Sequence, residues 1–320
     1  MTEPDTPPAF TWETPPGTTP PVGGGSSPMT SGDIVDAAVS IYRRGFLVLI
    51  LVAAVIQVPL AFVGAVVGQE LTTAFEPFVE LAGREPTQEE FSAVMDEALP
   101  TLLSAFVTIG VVSFLGGLLL TPALIAAASR LNAGERPSLG DAYGTALRSA
   151  LPILVGSIIE GIVLGGVFFG PLLVGVLVAA LTQDAGVAAV AILLAILVGF
   201  IATAYVATRW AVWPQAVVLE ARGPLGALGR SWQLVKGSMW RTLAILAVTA
   251  IVTAVAGAIL GSIAGAIGGG LPVAWQGAIP DILGILTVSW LPIVTTLLFL
   301  DLRARREPPD AAPSPPSPFS

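Results

Sequence analysis

Hydrophobic positions along this chain come in long unbroken blocks, with the polar positions gathered between them. Six blocks stand out: Phe46–Gly68, Thr101–Ala128, Leu151–Leu181, Val187–Thr208, Leu243–Ala266 and Ile282–Leu300. About 20 apolar residues carry a helix across the hydrocarbon core of a bilayer, so each block predicts one membrane-spanning helix. The third block is over-long and holds Pro171 behind Gly165, Gly166 and Gly170, which predicts a helix kinked or tilted at that point. Before each odd-numbered block the apolar period shifts to three and four residues. Ile34, Ala38 and Ile41 share a face of Asp33–Arg44; Leu139, Tyr143 and Leu147 share one of Leu139–Arg148. Leu225, Leu228, Trp232, Val235 and Met239 do the same in Leu225–Arg241. Each stretch ends in basic residues and feeds two apolar blocks, which predicts a threefold repeat of interfacial helix plus helical hairpin. The plainer reading is that any loop feeding a membrane helix looks amphipathic.

The expected fold class is therefore all-α: a polytopic transmembrane bundle of six spans with short cytoplasmic interfacial amphipathic helices, over residues 31–306. The flanks, residues 1–30 and 307–320, are rich in Pro, Gly and Ser and cannot bury enough apolar surface to fold, so both are expected to be disordered. The first thirty residues contain no apolar core of signal-peptide length, so the first spanning helix is expected to act as its own insertion signal. Within the exterior segment, Thr87 and Glu90 match a capping box, followed by an apolar face of Phe91, Val94, Met95 and Ala98.

Charge sets the orientation. Gln69–Leu99 carries eight acids and one base, Arg84. Thr182–Gly186 and Ile267–Asp281 carry no Lys or Arg, and the other thirteen bases all fall on the opposite side. Lys and Arg near membrane ends stay in the cytoplasm. The expectation is a multi-pass protein of the cytoplasmic (inner) membrane with both termini in the cytoplasm. Composition agrees: 54% of residues are hydrophobic and only 11% charged, against about 25% charged in soluble domains. A net charge of −8 argues against nucleic acid. With no His and no Cys, thiol nucleophiles, His general bases and Cys/His zinc sites are all excluded, and no cofactor or metal is expected.

Two sets of residues invite a functional reading. Glu160 is the one carboxylate well inside an apolar block; it either handles a proton or cation or simply holds helices together. In the Leu225–Arg241 stretch, Trp232 and Trp240 suit headgroup depth, while Arg230, Lys236 and Arg241 can reach anionic lipid phosphates. Membrane lipids are thus the expected partner, against a plainer reading of topological anchoring. The four-residue glycine spacings Gly257/Gly261/Gly265, Gly161/Gly165 and Gly166/Gly170 read as helix packing. Pro59, Pro122 and Pro171 lie inside blocks, with Gln57 close to Pro59, and read as packing kinks.

Three of these stretches carry a resemblance. Gly32-Asp33-Ile34-Val35-Asp36-Ala37-Ala38 running to Tyr42-Arg43-Arg44-Gly45-Phe46 forms the first; Leu219-Glu220-Ala221-Arg222-Gly223-Pro224 running to Arg230-Ser231-Trp232-Gln233-Leu234-Val235-Lys236-Gly237-Ser238-Met239-Trp240-Arg241 forms the second. The close, Leu300-Asp301-Leu302-Arg303-Ala304-Arg305-Arg306-Glu307, is the third. Over about residues 31–307 they resemble actinobacterial membrane proteins similar to the membrane domain of glycerophosphoryl diester phosphodiesterase. That resemblance implies a lipid-related membrane module. It does not imply the hydrolase activity, whose barrel needs roughly 250 further residues and His. The function expected is a non-enzymatic membrane scaffold or partner in envelope or lipid biology. A small transporter using Glu160 and the broken third helix is the alternative.

Overall fold

The computed structural model describes residues 29–83, 87–182 and 184–307. The expected disordered tails lie outside these residues except for Met29, Thr30 and Glu307, all of which the fold uses; Arg84 and Glu85 of the acidic segment also lie outside. Every regular element among the described residues is an α-helix. In chain order they are α1 (Ser31–Ala82), α2 (Gln88–Asn132), α3 (Leu139–Leu181), α4 (Ala185–Trp210), α5 (Trp213–Glu220), α6 (Pro224–Val235), α7 (Met239–Gly268), α8 (Val273–Val288) and α9 (Trp290–Arg306). Six helical stretches are long and apolar enough to cross a membrane, each containing one of the six blocks, with α4–α5 and α8–α9 counting once each.

Local chemistry explains where these helices start. Thr30, Thr87 and Ser138 each accept the backbone N–H three residues on, while Asp33, Glu90 and Asp141 reach back to the capping residue. Once started, α1 meets no effective breaker before Gly83 and runs for 52 residues, through Pro59 and Pro77. At 1.5 Å per residue it is about 78 Å long, well beyond a bilayer core. The first two amphipathic stretches are therefore the opening turns of α1 and α3 rather than separate interfacial helices; only the third, α6, stands alone. Nothing at Arg44-Gly45-Phe46 or Leu147-Arg148-Ser149 stops the hydrogen-bond ladder, whereas Gly237, at φ +85°, ends the run after α6. The third block is likewise a continuous helix through Pro171. The interruption falls instead in the sixth span, at Ser289 between α8 and α9.

Pairs α1/α2, α3/α4 and α7/α8 pack side by side, α8 also packs along α1, and α9 touches α1, α2 and α7. In the apolar window of the sixth span 56% of residues are buried, against 6% in the third, so the sixth span is the central post. Pro292 to Phe299 are all buried there, with Phe299, Leu298 and Ile293 at zero exposure. In each of the other five spans no more than 22% of the apolar window is buried. The glycines that matter for packing are not the regularly spaced ones. A Cβ on Gly45 would run into Leu131, one on Gly156 into the Trp213 ring, and one on Gly116 would stand 2.9 Å from Leu60. Gly161, Gly165, Gly166, Gly170, Gly257, Gly261 and Gly265 face open space, so the packing expected of them does not occur within this chain.

Two valine substitutions in α3 separate these cases. Gly156→Val overpacks against Trp213 and is expected to cost about 1–3 kcal/mol, read as a lower thermal midpoint in detergent. Gly161→Val, five residues on, is expected to leave the midpoint unchanged or slightly raised.

Candidate functional site

One end of the bundle collects the bases, and its architecture begins with α6. Gly223 and Pro224 open the helix, Pro at the first helical position losing an N–H that would be unpaired anyway. The face turned inward is Ala227, Leu228, Ser231, Leu234 and Val235, while Leu225 and Trp232 point outward. The amphipathic face expected from sequence is therefore rotated. Small Ala227 and Ser231 let α6 approach closely, and the Ser231 hydroxyl has backbone work to do where α4 gives way to α5. It accepts from the Val212 N–H at 3.3 Å and donates to the Arg209 carbonyl at 2.9 Å.

A buried carboxylate ties this end together. Asp301, with no side-chain exposure, accepts from Arg241 Nη1 at 2.6 Å, Arg305 Nε at 2.9 Å and the Met29 N–H at 2.8 Å. The same two guanidiniums donate onward to the Met29 carbonyl, Arg241 at 2.8 Å and Arg305 at 2.6 Å. A second network surrounds Glu220. Arg230 bridges it to Glu307 at 3.0 and 2.6 Å, and Arg222 reaches it at 2.6 Å. Burial draws the Arg230 guanidinium's pKa down, but its bonds to Glu220 and Glu307 outweigh this and raise it. The Arg230 bond holds the Glu307 carboxyl below its usual range, against the opposing effect of burial.

These contacts sort the residues singled out by sequence. Arg230 and Arg241 are engaged with carboxylates and are not free to reach lipid phosphate. Lys236 is exposed and makes no ion pair among the described residues, and Trp240 is 79% exposed. Trp232 packs edge-on to Tyr205 and Trp210, with the Arg209 guanidinium 5.1 Å from its ring centre. Arg43, Arg44, Arg136, Arg148 and Arg306 are, like Lys236, exposed and without an acidic partner among the described residues. The free cations are thus mostly different from those the amphipathic pattern picks out.

The family described as a domain of unknown function (DUF7847) matches residues 32–304. This chain belongs to that family. No curated protein and no solved structure matches it. The DUF7847 match spans the helices from the first turn of α1 almost to the end of α9, so α6, Arg241 and Asp301 lie within it, while Met29 and Arg305 of the knot fall just outside.

Elsewhere in the DUF7847 domain, Glu160 is half-buried and accepts the indole N–H of Trp213 at 3.0 Å. Trp213 is held in reach by the gap above Gly156 on the same helix. No group of three acids among the described residues is placed to hold a metal ion. Sequence reasoning missed Asp301 as a structural centre. Its signal was an acid set among Phe299, Leu300 and Leu302, with Arg305 one helical turn on.

The Glu307 bond predicts an acid limit. A lowered folded-state pKa means its stabilisation is complete above the ordinary glutamate value, about 4.3, and is lost as pH falls through the lowered one. Thermal midpoints measured down to that range should fall for the native protein. Glu307→Gln should start lower at neutral pH and fall less. Parallel curves would remove Glu307 from the account.

Proposed function

We propose that this is a non-enzymatic, multi-pass protein of the cytoplasmic membrane that acts as a scaffold on anionic lipid, with its cationic end and both termini in the cytoplasm. The observation that carries the reading is the separation at the cationic end. Acid-paired arginines hold the helices together, while Arg43, Arg44, Arg136, Arg148, Lys236 and Arg306 stay exposed and without acidic partners among the described residues. Fixed cations beside long apolar helices attract anionic headgroups at about 1 kcal/mol each, and bases on one side orient a polytopic chain. Exposed Trp240 and Leu225 flank these cations and suit the interface between headgroup and chain.

The motif resemblance to the membrane domain of glycerophosphoryl diester phosphodiesterase supports a role in envelope or lipid biology. The chain has no imidazole base and no thiol nucleophile, which supports a binding role over a catalytic one. A transport role finds less support. The third span is unbroken and Glu160 already has a hydrogen-bond partner.

The test compares thermal midpoints in nanodiscs of phosphatidylglycerol and phosphatidylcholine. The native protein should be more stable in the anionic lipid. Changing Arg148, Lys236 and Arg306 together to Gln should reduce that difference by about 1 kcal/mol per charge. Equal midpoints in both lipids, or hydrolysis of a glycerophosphodiester by the purified protein, would overturn the reading.

A further inference from the structure

Away from the cationic end, α1, α2 and α8 leave a cleft of about 290 Å³ between them. Its walls are mostly apolar, with Leu60, Ile109 and Val112 among them, but three polar side chains line it: Gln57 of α1, Ser113 of α2 and Asp281 of α8. None of the three makes a side-chain hydrogen bond or ion pair within the described residues. Gln57 lies near the middle of the Phe46–Gly68 block, about 16 Å along the axis from either end. Gly64, beside Asp281, lies about 6 Å inside the same block. A Cβ at Gly64 would stand 3.2 Å from Asp281 Oδ2, so the glycine keeps space open against the carboxylate. Asp281 is set in an apolar helix; sequence reading put it at the end of a loop, whereas α8 begins eight residues earlier.

Asp281 and Ser113 are exposed where they line the cleft, and at bilayer depth a carboxylate calls for a counter-charge. The helices that line the cleft supply none. Neither α1 between Gly45 and Gln69, nor α2 between Leu99 and Ser129, nor any part of α8 contains Lys or Arg. A divalent metal is a poor candidate, because Ca²⁺ takes six to eight oxygens and Mg²⁺ a full octahedron, and the cleft offers one carboxylate, one amide and one hydroxyl. What those groups share is the ability to accept N–H donors. The walls between them suit a hydrocarbon chain. The acids of Gln69–Leu99, just beyond the Gly64 end, favour the approach of a cation.

We propose that this cleft binds the protonated head of a primary-amine amphiphile, its ammonium against Asp281 and its chain along Leu60 and Ile109. The inference goes beyond the lipid-scaffold reading and draws on it only in setting the cleft at bilayer depth. The ligand carries its own positive charge and at least one apolar chain. A quaternary head, which has no N–H to donate, fits less well.

The experiment photolabels the full-length protein in detergent with dodecylamine carrying a diazirine on its chain. Label should map to residues 57–64, 109–113 and 277–285. Unlabelled dodecylamine should compete at least about tenfold better than dodecanol or dodecyltrimethylammonium, the step expected for one lost polar interaction. Asp281→Asn should reduce labelling, and so should Gly64→Val, which keeps the charge and fills the space. If Asp281→Asn does not fold, Gly64→Val and Gln57→Leu decide the matter. Dodecanol or the quaternary amine competing as well as dodecylamine, Na⁺ or Mg²⁺ competing in its place, or labelling unchanged in every folded variant would overturn the proposal. Lys236→Gln, at the opposite end, should leave the label unchanged, which keeps this result independent of the lipid comparison above.

Discussion

The Asp301 carboxylate, bound by two guanidiniums and a backbone N–H, fixes one end of the helical bundle. A buried charge is costly unless every lone pair is used and an opposite charge lies close by. Arg241 and Arg305 supply that charge, and the backbone N–H and carbonyl of Met29 add a bond to each of the three side chains. The knot joins Met29, two residues before α1, to the first turn of α7 and the last turns of α9, across as many as 276 positions of sequence. Removing Asp301 would leave two neighbouring guanidiniums without their acid, and removing either arginine would leave the buried carboxylate with one counter-charge instead of two. The penalty for breaking the knot is therefore larger than the net gain from forming it.

Around this end the two kinds of cation divide the work. Those facing carboxylates, at Asp301 and Glu220, hold helices in register. Those facing outward, such as Lys236 and Arg148, carry charge that no described acid cancels. The central position of α9 follows from the same arrangement. It carries Asp301 and Arg305 near its end and a run of buried side chains from Pro292 to Phe299, and α1, α2, α5, α6, α7 and α8 pack against it. Close approaches then fall at single glycines, at Gly45, Gly116 and Gly156 against a large side chain and at Gly175 and Gly199 where α3 meets α4, rather than at evenly spaced glycines.

Much of the fold is legible in the sequence, because apolar block length and capping chemistry are local properties. All six blocks lie in helices, and the Thr87/Glu90 capping box forms as its spacing predicts. Less legible is where a helix fails to stop. The amphipathic openings of α1 and α3 look like separate helices only because polarity changes at Arg44 and Arg148, and polarity does not break a hydrogen-bond ladder. The face of α6 is misjudged for a related reason: a hydrophobic period counts Trp232 inward and Ser231 outward, while the real packing needs a small hydroxyl beside the backbone of Val212 and Arg209. At the site, sequence identifies Trp232, Trp240 and the surrounding bases as a group. It cannot assign Arg230 and Arg241 to carboxylates, because Glu307 and Asp301 reach them only through tertiary contact. Asp281 escapes notice because Pro280 makes it resemble the end of a loop.

The measurement that bears most directly on this account is a double-mutant cycle between Asp301 and Arg241, with Asp301→Ala, Arg241→Ala and the double variant unfolded in detergent at neutral pH. The knot predicts that the two changes are not additive, with a coupling of about 1–3 kcal/mol. Additivity within about 0.5 kcal/mol would mean that the buried carboxylate does not hold this end together.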